Sequence, residues 1–193
     1  MIDRISEYVV RKLRESNIIK EEDIELYQFG IESFLMKACH LISYLVIGLL
    51  FGRLPELLLF LAVFIPLREC SGGYHAKTPL RCYILSCCTV IAFLCLITFV
   101  PGNRIPYGLF LALVSSFVLY FIVPVETENK PLSDTEVIHY KRKARLMIGA
   151  ELGLTIAFYL VSWYVFSLIL SLSLTFELII ALAGLGRKKD EKS

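Results

Sequence analysis

The sequence predicts an all-α fold: a polytopic membrane protein with six transmembrane helices, preceded by an amphipathic N-terminal helix. Three observations carry that prediction. Of the 193 residues, 56% are hydrophobic and mean hydropathy is +0.67, where a soluble domain is about 45–50% apolar. Six apolar runs, at about residues 31–51, 54–67, 82–100, 107–125, 147–166 and 168–185, are separated by polar breaks. With the N-terminus inside and six crossings, nearly every Lys and Arg falls on the inner face, leaving Arg53 and Arg104 outside. Residues 1–193 therefore read as a single integral membrane domain, with both termini cytoplasmic.

Residues 1–28 form the cytoplasmic amphipathic segment. Ile2, Ile5, Val9 and Leu13 recur at helical spacing, with Arg4, Arg11, Lys12 and Arg14 between them. The charged first thirty residues lack the apolar core of a cleavable signal peptide. In the first span, Glu32, Lys37 and His40 stand close enough on a helix to satisfy one another. The second run, Leu54–Leu67, is short, and a re-entrant segment is the alternative. A crossing there puts Arg68, Lys77 and Arg81 inside with the N-terminal cations, so we read it as a short span. Pro101-Gly102-Asn103-Arg104 reads as an outer turn, Glu126–Arg145 as the longest inner loop, and uncharged Ser167 as the outer corner between the last two spans. The six cysteines show no disulfide spacing and read as reduced thiols.

Chemistry concentrates in Arg68-Glu69-Cys70-Ser71-Gly72-Gly73-Tyr74-His75-Ala76-Lys77-Thr78-Pro79-Leu80-Arg81-Cys82. Gly72-Gly73 permits positive φ and a sharp reversal. Thr78-Pro79 reads as an N-cap followed by the first helical residue. Cys82 then sits in the first turn, where the helix dipole enlarges the thiolate fraction. In one unbroken helix His75 would stand about 10 Å away along the axis, but a loop ending at Thr78 can return it to the Cys82 sulfur. Together they read as a nucleophile pair at the cytoplasmic membrane edge, with first-turn N–H groups available to an oxyanion. The alternative without chemistry is a membrane-edge cysteine beside an interfacial histidine. A zinc site on Cys70, His75 and Cys82 would have three ligands, and Cys87 and Cys88 do not share a helix face with Cys82 to complete it. Neither a metal nor a cofactor is expected.

The pattern Arg-x4-Gly-x-His-x6-Cys, in a loop between two spans, resembles the accessory gene regulator B (AgrB) family. Asn129-Lys130-Pro131-Leu132 after the fourth span is a second match, and the span pattern extends the likeness over nearly the whole chain. The resemblance implies a membrane cysteine endopeptidase that processes cyclic-peptide pheromone precursors in quorum sensing. It places the catalytic pair on His75 and Cys82, and the family's Arg and Gly on Arg68 and Gly73. It also implies an AgrD-like propeptide partner with an acidic C-terminal tail.

Around that pair, Arg68, Gly72, Gly73 and Lys130 read as site-supporting residues. Lys141, Arg142 and Lys143, with Arg145, read either as a topology determinant facing anionic lipid or as a dock for an acidic peptide. Glu69 is a weaker orienting candidate for His75, and the third catalytic member stays open among Glu126, Glu128, Asn129 and Asp134. Glu151 and Glu177 are intramembrane acids, functional candidates by default, with no basic partner visible at the same depth. The runner-up function is a six-span small-peptide transporter without hydrolytic chemistry. A net charge of +2 gives no reason to expect a nucleic-acid partner, and a homodimer is compatible with the sequence.

Overall fold

The computed structural model describes residues 2–16, 18–74, 76, 78–99, 105–125 and 133–190, without the side chains of 2, 3, 105, 106, 134 and 187–190. Its regular structure is helical: α1 (Ile2–Glu15), α2 (Ile24–Leu50), α3 (Leu54–Ser71), α4 (Pro79–Phe99), α5 (Ile105–Ile122), α6 (Asp134–Leu160) and α7 (Tyr164–Asp190). The chain divides into two compact units, Met1–Ile47 and Gly48–Ser193. Among the described residues, three stretches are long and apolar enough to cross a membrane by length and composition, Glu21–Leu50, Pro79–Phe99 and Tyr164–Gly186, and Tyr107–Ile122 is a shorter apolar helix.

In the first unit, α1 is amphipathic as expected, but its buried face is turned by one residue. Ser6 and Val10 are buried, whereas Ile5 is exposed. The cause is polar: Ser6 Oγ donates to Glu32 Oε1 of α2 at 2.9 Å. Gln28 donates to the same oxygen at 3.1 Å. Glu32 is thus satisfied by Ser6 and Gln28 rather than by Lys37. His40 Nδ1 lies 2.7 Å from the Met36 carbonyl oxygen, and its ring meets Tyr44 edge-on.

In the second unit α7 is central, packing against α3, α4, α5 and α6. Leu67 and Cys70 of α3, Ala112 and Leu119 of α5, Ala144 and Ile148 of α6, and Leu174 and Ala181 of α7 share one apolar cluster. Phe60 of α3 stacks on Phe93 of α4 at 4.1 Å between ring centroids. Small residues at 112, 144 and 181 let the helices approach closely, as membrane packing favours.

Helix ends depart from the sequence expectation in three places. The second apolar run belongs to an 18-residue helix, about 27 Å long at 1.5 Å per residue. Its last turn is polar, which is why the run looked short. The expected inner loop Glu126–Arg145 is half helix: Ser133 and Glu136 form a reciprocal capping box that starts α6 at Asp134. The basic cluster therefore lies on the third and fourth turns of α6. Finally, the last hairpin does not turn at Ser167. It turns at Val161-Ser162-Trp163, where Ser162 takes φ 62°. Trp163 stacks on Phe158 at 5.8 Å and meets Phe166 at 5.7 Å. Ser167 is buried inside α7 and donates to the Thr155 carbonyl at 2.9 Å. Its hydroxyl is satisfied within the helix pair, so the absence of charge there reflected burial, not a turn. The outer turn expected at Asn103 lies outside the described residues.

Candidate functional site

The motif stretch folds as its residue types require. α3 ends when Gly72, at φ 72°, sends its N–H back to the Arg68 carbonyl. Gly73 follows at φ 110°. Both values lie in the region that glycine alone visits cheaply. Position 72 also admits no side chain, because a Cβ there would fall on the Val125 carbonyl oxygen. The loop is pinned on two sides. Gly73 N–H donates to Val125 O at 3.1 Å, Val125 N–H donates to Ser71 O at 2.7 Å, and Tyr74 N–H donates to Ile180 O of α7 at 3.0 Å. Val125 follows α5, so α5 and α7 hold the loop between them.

Beyond the loop, Thr78 caps α4 as expected: Arg81 N–H donates to Thr78 Oγ1 at 3.3 Å. Cys82 N–H donates to the Thr78 carbonyl at 3.1 Å. Cys82 is in the first turn of α4 and half-buried. His75, assigned as its partner, lies outside the described residues, as do Lys130 and the open candidates Glu126, Glu128 and Asn129. Asp134 opens α6. Glu69 is exposed.

Arg68 is the hub of the described site. Its Nη2 donates to the Tyr74 carbonyl at 2.7 Å. Its Nη1 stands 3.8 Å from Glu177 Oε1, and the guanidinium lies within electrostatic reach of Cys82. Glu177 is fully buried. This is the basic partner that the sequence had not revealed: Arg68 and Glu177 are 109 positions apart (177 minus 68), and only the packing of α3 on α7 brings them together. A signal was present in the spacing of Ser173, Glu177, Ile180 and Gly184, at intervals of four, three and four, which put them on one helix face. Glu151 sits on the same polar path, its Oε1 accepting from Ser173 Oγ at 2.8 Å.

The basic cluster forms a second feature. Lys141 and Arg142 line an open groove of about 450 Å³ with Tyr120, Ile138, Arg145 and Leu146. Arg145 is engaged there: its Nε donates to the Tyr120 carbonyl at 3.0 Å, and its guanidinium lies 4.3 Å from the Tyr120 ring centroid. Lys143 is exposed and does not line the groove.

Comparison with known proteins gives the chain a family. The family model for accessory gene regulator B matches residues 2–181. An AgrB-like protein of Clostridium perfringens strain SM101 is 33% identical over 186 residues, covering 92% of this chain and 80% of the relative. An AgrB-like protein of Clostridium acetobutylicum is 27% identical over 159 residues, covering 77% and 71%. Protein FsrB of Enterococcus faecalis is 28% identical over 130 residues, covering 65% and 49%. No solved structure matches. A match spanning nearly every helix, together with the Arg68–Cys82 motif seated on α7, means that this chain belongs to the accessory gene regulator B family.

Proposed function

We propose that the protein is a membrane cysteine endopeptidase. It removes the C-terminal tail of an AgrD-like quorum-sensing propeptide and promotes cyclisation to a lactone or thiolactone. Cys82 Sγ attacks the scissile carbonyl while His75 takes the thiol proton. The C–N bond then breaks, His75 protonates the leaving amine, and the tail departs. A thioester remains on Cys82. An internal thiol or hydroxyl of the precursor attacks that thioester, and the ring closes as Cys82 is released. The observation supporting this most directly is the placement of Cys82 in the capped first turn of α4, within electrostatic reach of the half-buried guanidinium of Arg68. Because Arg81 and Cys82 N–H are engaged with Thr78, the proposal assigns the oxyanion to the Leu80 N–H.

The site and both termini belong on the cytoplasmic face in this reading, with six crossings and anionic lipid around the basic cluster. Lys141 and Arg142 steer the acidic tail of the precursor into the groove beside Tyr120. A transport reading draws support from one feature, the buried hydroxyls of Ser115, Ser116, Ser167, Ser171 and Ser173 alongside Glu151. Co-expression with the candidate precursor, followed by mass spectrometry, separates the two. The enzyme releases a free tail and loses that release in Cys82→Ser, whereas a transporter moves peptide whether or not Cys82 is present.

A further inference from the structure

We propose that Glu177 is a positioning residue of the Cys82 site, acting through Arg68: its carboxylate is the buried countercharge that holds the guanidinium on the Tyr74 carbonyl, within electrostatic reach of the Cys82 thiol. The proposal rests on the reading of Cys82 as the nucleophile.

A guanidinium keeps its charge in any protein environment, and a buried, unpaired charge is costly. Arg68 has a side-chain exposure of 18% and Glu177 of 0%, so each supplies what the other needs. The C-terminal end of α3 helps, since its carbonyls favour a cation, but a helix end offers only about half a unit charge. At 3.8 Å the pair is an ion pair without a hydrogen bond. Arg68 Nη1 and both Glu177 oxygens have no hydrogen-bond partner among the described residues. The guanidinium is thus anchored at one nitrogen, on Tyr74 O, and held electrostatically at the other.

Two acids then face one cation. Glu177 and Cys82 both interact with Arg68, and Glu151, the other acid near Glu177, is engaged by Ser173. While Glu177 is ionised it offsets part of the field that Arg68 projects on the thiol. It also keeps the guanidinium on the Tyr74 carbonyl, the residue next to His75 in the chain. Removing only that charge should make Cys82 more reactive and, at the same time, less well placed. A purely structural role would lower both reactivity and turnover.

The test uses the full chain in proteoliposomes. Iodoacetamide labelling of Cys82 at fixed pH is followed by site-resolved mass spectrometry, beside tail release from the precursor. Glu177→Gln should alkylate roughly three- to tenfold faster than wild type, the range expected for up to one decade in thiolate fraction, yet release tail more slowly. Arg68→Gln should alkylate more slowly than wild type, and the Arg68→Gln/Glu177→Gln double variant should match Arg68→Gln. The idea is overturned if Glu177→Gln alkylates at or below the wild-type rate, or if its effect persists without Arg68. If Glu177→Gln does not insert, Glu177→Asp takes its place. That variant withdraws the charge by one methylene and should alkylate measurably faster than wild type, so a wild-type rate overturns the idea. Cys82→Ser that still releases tail would remove the peptidase assignment instead, because the alkylation comparison needs no turnover.

Discussion

Gly184 of α7 lies directly against the Gly73–Tyr74 peptide: a Cβ on Gly184 would stand 2.7 Å from Gly73 C and from Tyr74 N. The motif loop is therefore seated on α7, with backbone touching backbone. Gly184→Ala should force the two apart, costing about 1–3 kcal/mol as overpacking does, and should slow tail release because the Tyr74 carbonyl that Arg68 holds moves with the loop. Gly149→Ala and Gly153→Ala are the controls, since nothing lies within 4 Å of a Cβ at either. Thermal unfolding in detergent and tail-release rates should separate Gly184→Ala from both. Equal behaviour of the three would show that the loop is not held there.

The nucleophile assignment makes a sharper demand. Cys82→Ser and His75→Ala should each abolish tail release in protein that still inserts. Thr78→Ala should cost about 1 kcal/mol through loss of the α4 cap and reduce the rate without abolishing it. Among the other cysteines, Cys88 is exposed and should tolerate Ala. Cys70 is buried in the apolar cluster, so Cys70→Ala should lower thermal stability while leaving the rate per folded molecule intact. Wild-type processing by Cys82→Ser, measured by mass spectrometry of the released tail, would remove the enzyme reading.

Accessibility tests the proposed orientation. Single cysteines at Asn103 and Ser162, in a background lacking reactive native thiols, should label from outside with an impermeant maleimide. Cysteines at Lys77 and Lys141 should not. Position 167 should stay unlabelled from either side, because Ser167 is buried against α6. External labelling at Lys77 would put the motif loop on the opposite face and revive the re-entrant reading of α3.

What could be read from the sequence was whatever local chemistry dictates. The Gly72-Gly73 reversal, the Thr78 cap, the first-turn place of Cys82 and the helical class all follow from residues within a few positions of one another. The capping box of Ser133 and Glu136 was equally local, but the charges that follow it read as a loop. Non-local features were hidden. Nothing near Arg68 points to Glu177, and nothing near Gly73 points to Val125 or Gly184, because those contacts depend on how α3, α5 and α7 pack. Ser167 misled for a related reason: an uncharged serine between two apolar runs suits a turn or a buried helix hydroxyl, and only the bond to Thr155 decides between them.

The basic cluster on α6 separates two roles by position. Lys141 and Arg142 line the groove beside Tyr120, Arg145 is tied to the Tyr120 carbonyl and ring, and Lys143 lies off the groove. If the groove captures the acidic tail of the precursor, Lys141→Gln and Arg142→Gln should raise the precursor concentration needed for half-maximal processing, with little change in the saturated rate. Lys143→Gln should do neither, and Arg145→Gln should lower stability through loss of its hydrogen bond and cation–π contact. Because exposed cations act through a screened Coulomb field, the wild-type concentration dependence should weaken as salt rises, and that salt response should shrink in the Lys141→Gln/Arg142→Gln variant. Initial rates in proteoliposomes, with precursor and salt varied together, measure both effects. Anchoring on anionic lipid predicts another pattern: the double variant mis-inserts, or processes normally once inserted. A correctly inserted double variant with unchanged concentration dependence, beside a wild type indifferent to salt, would leave the cluster its topological role and no part in capture.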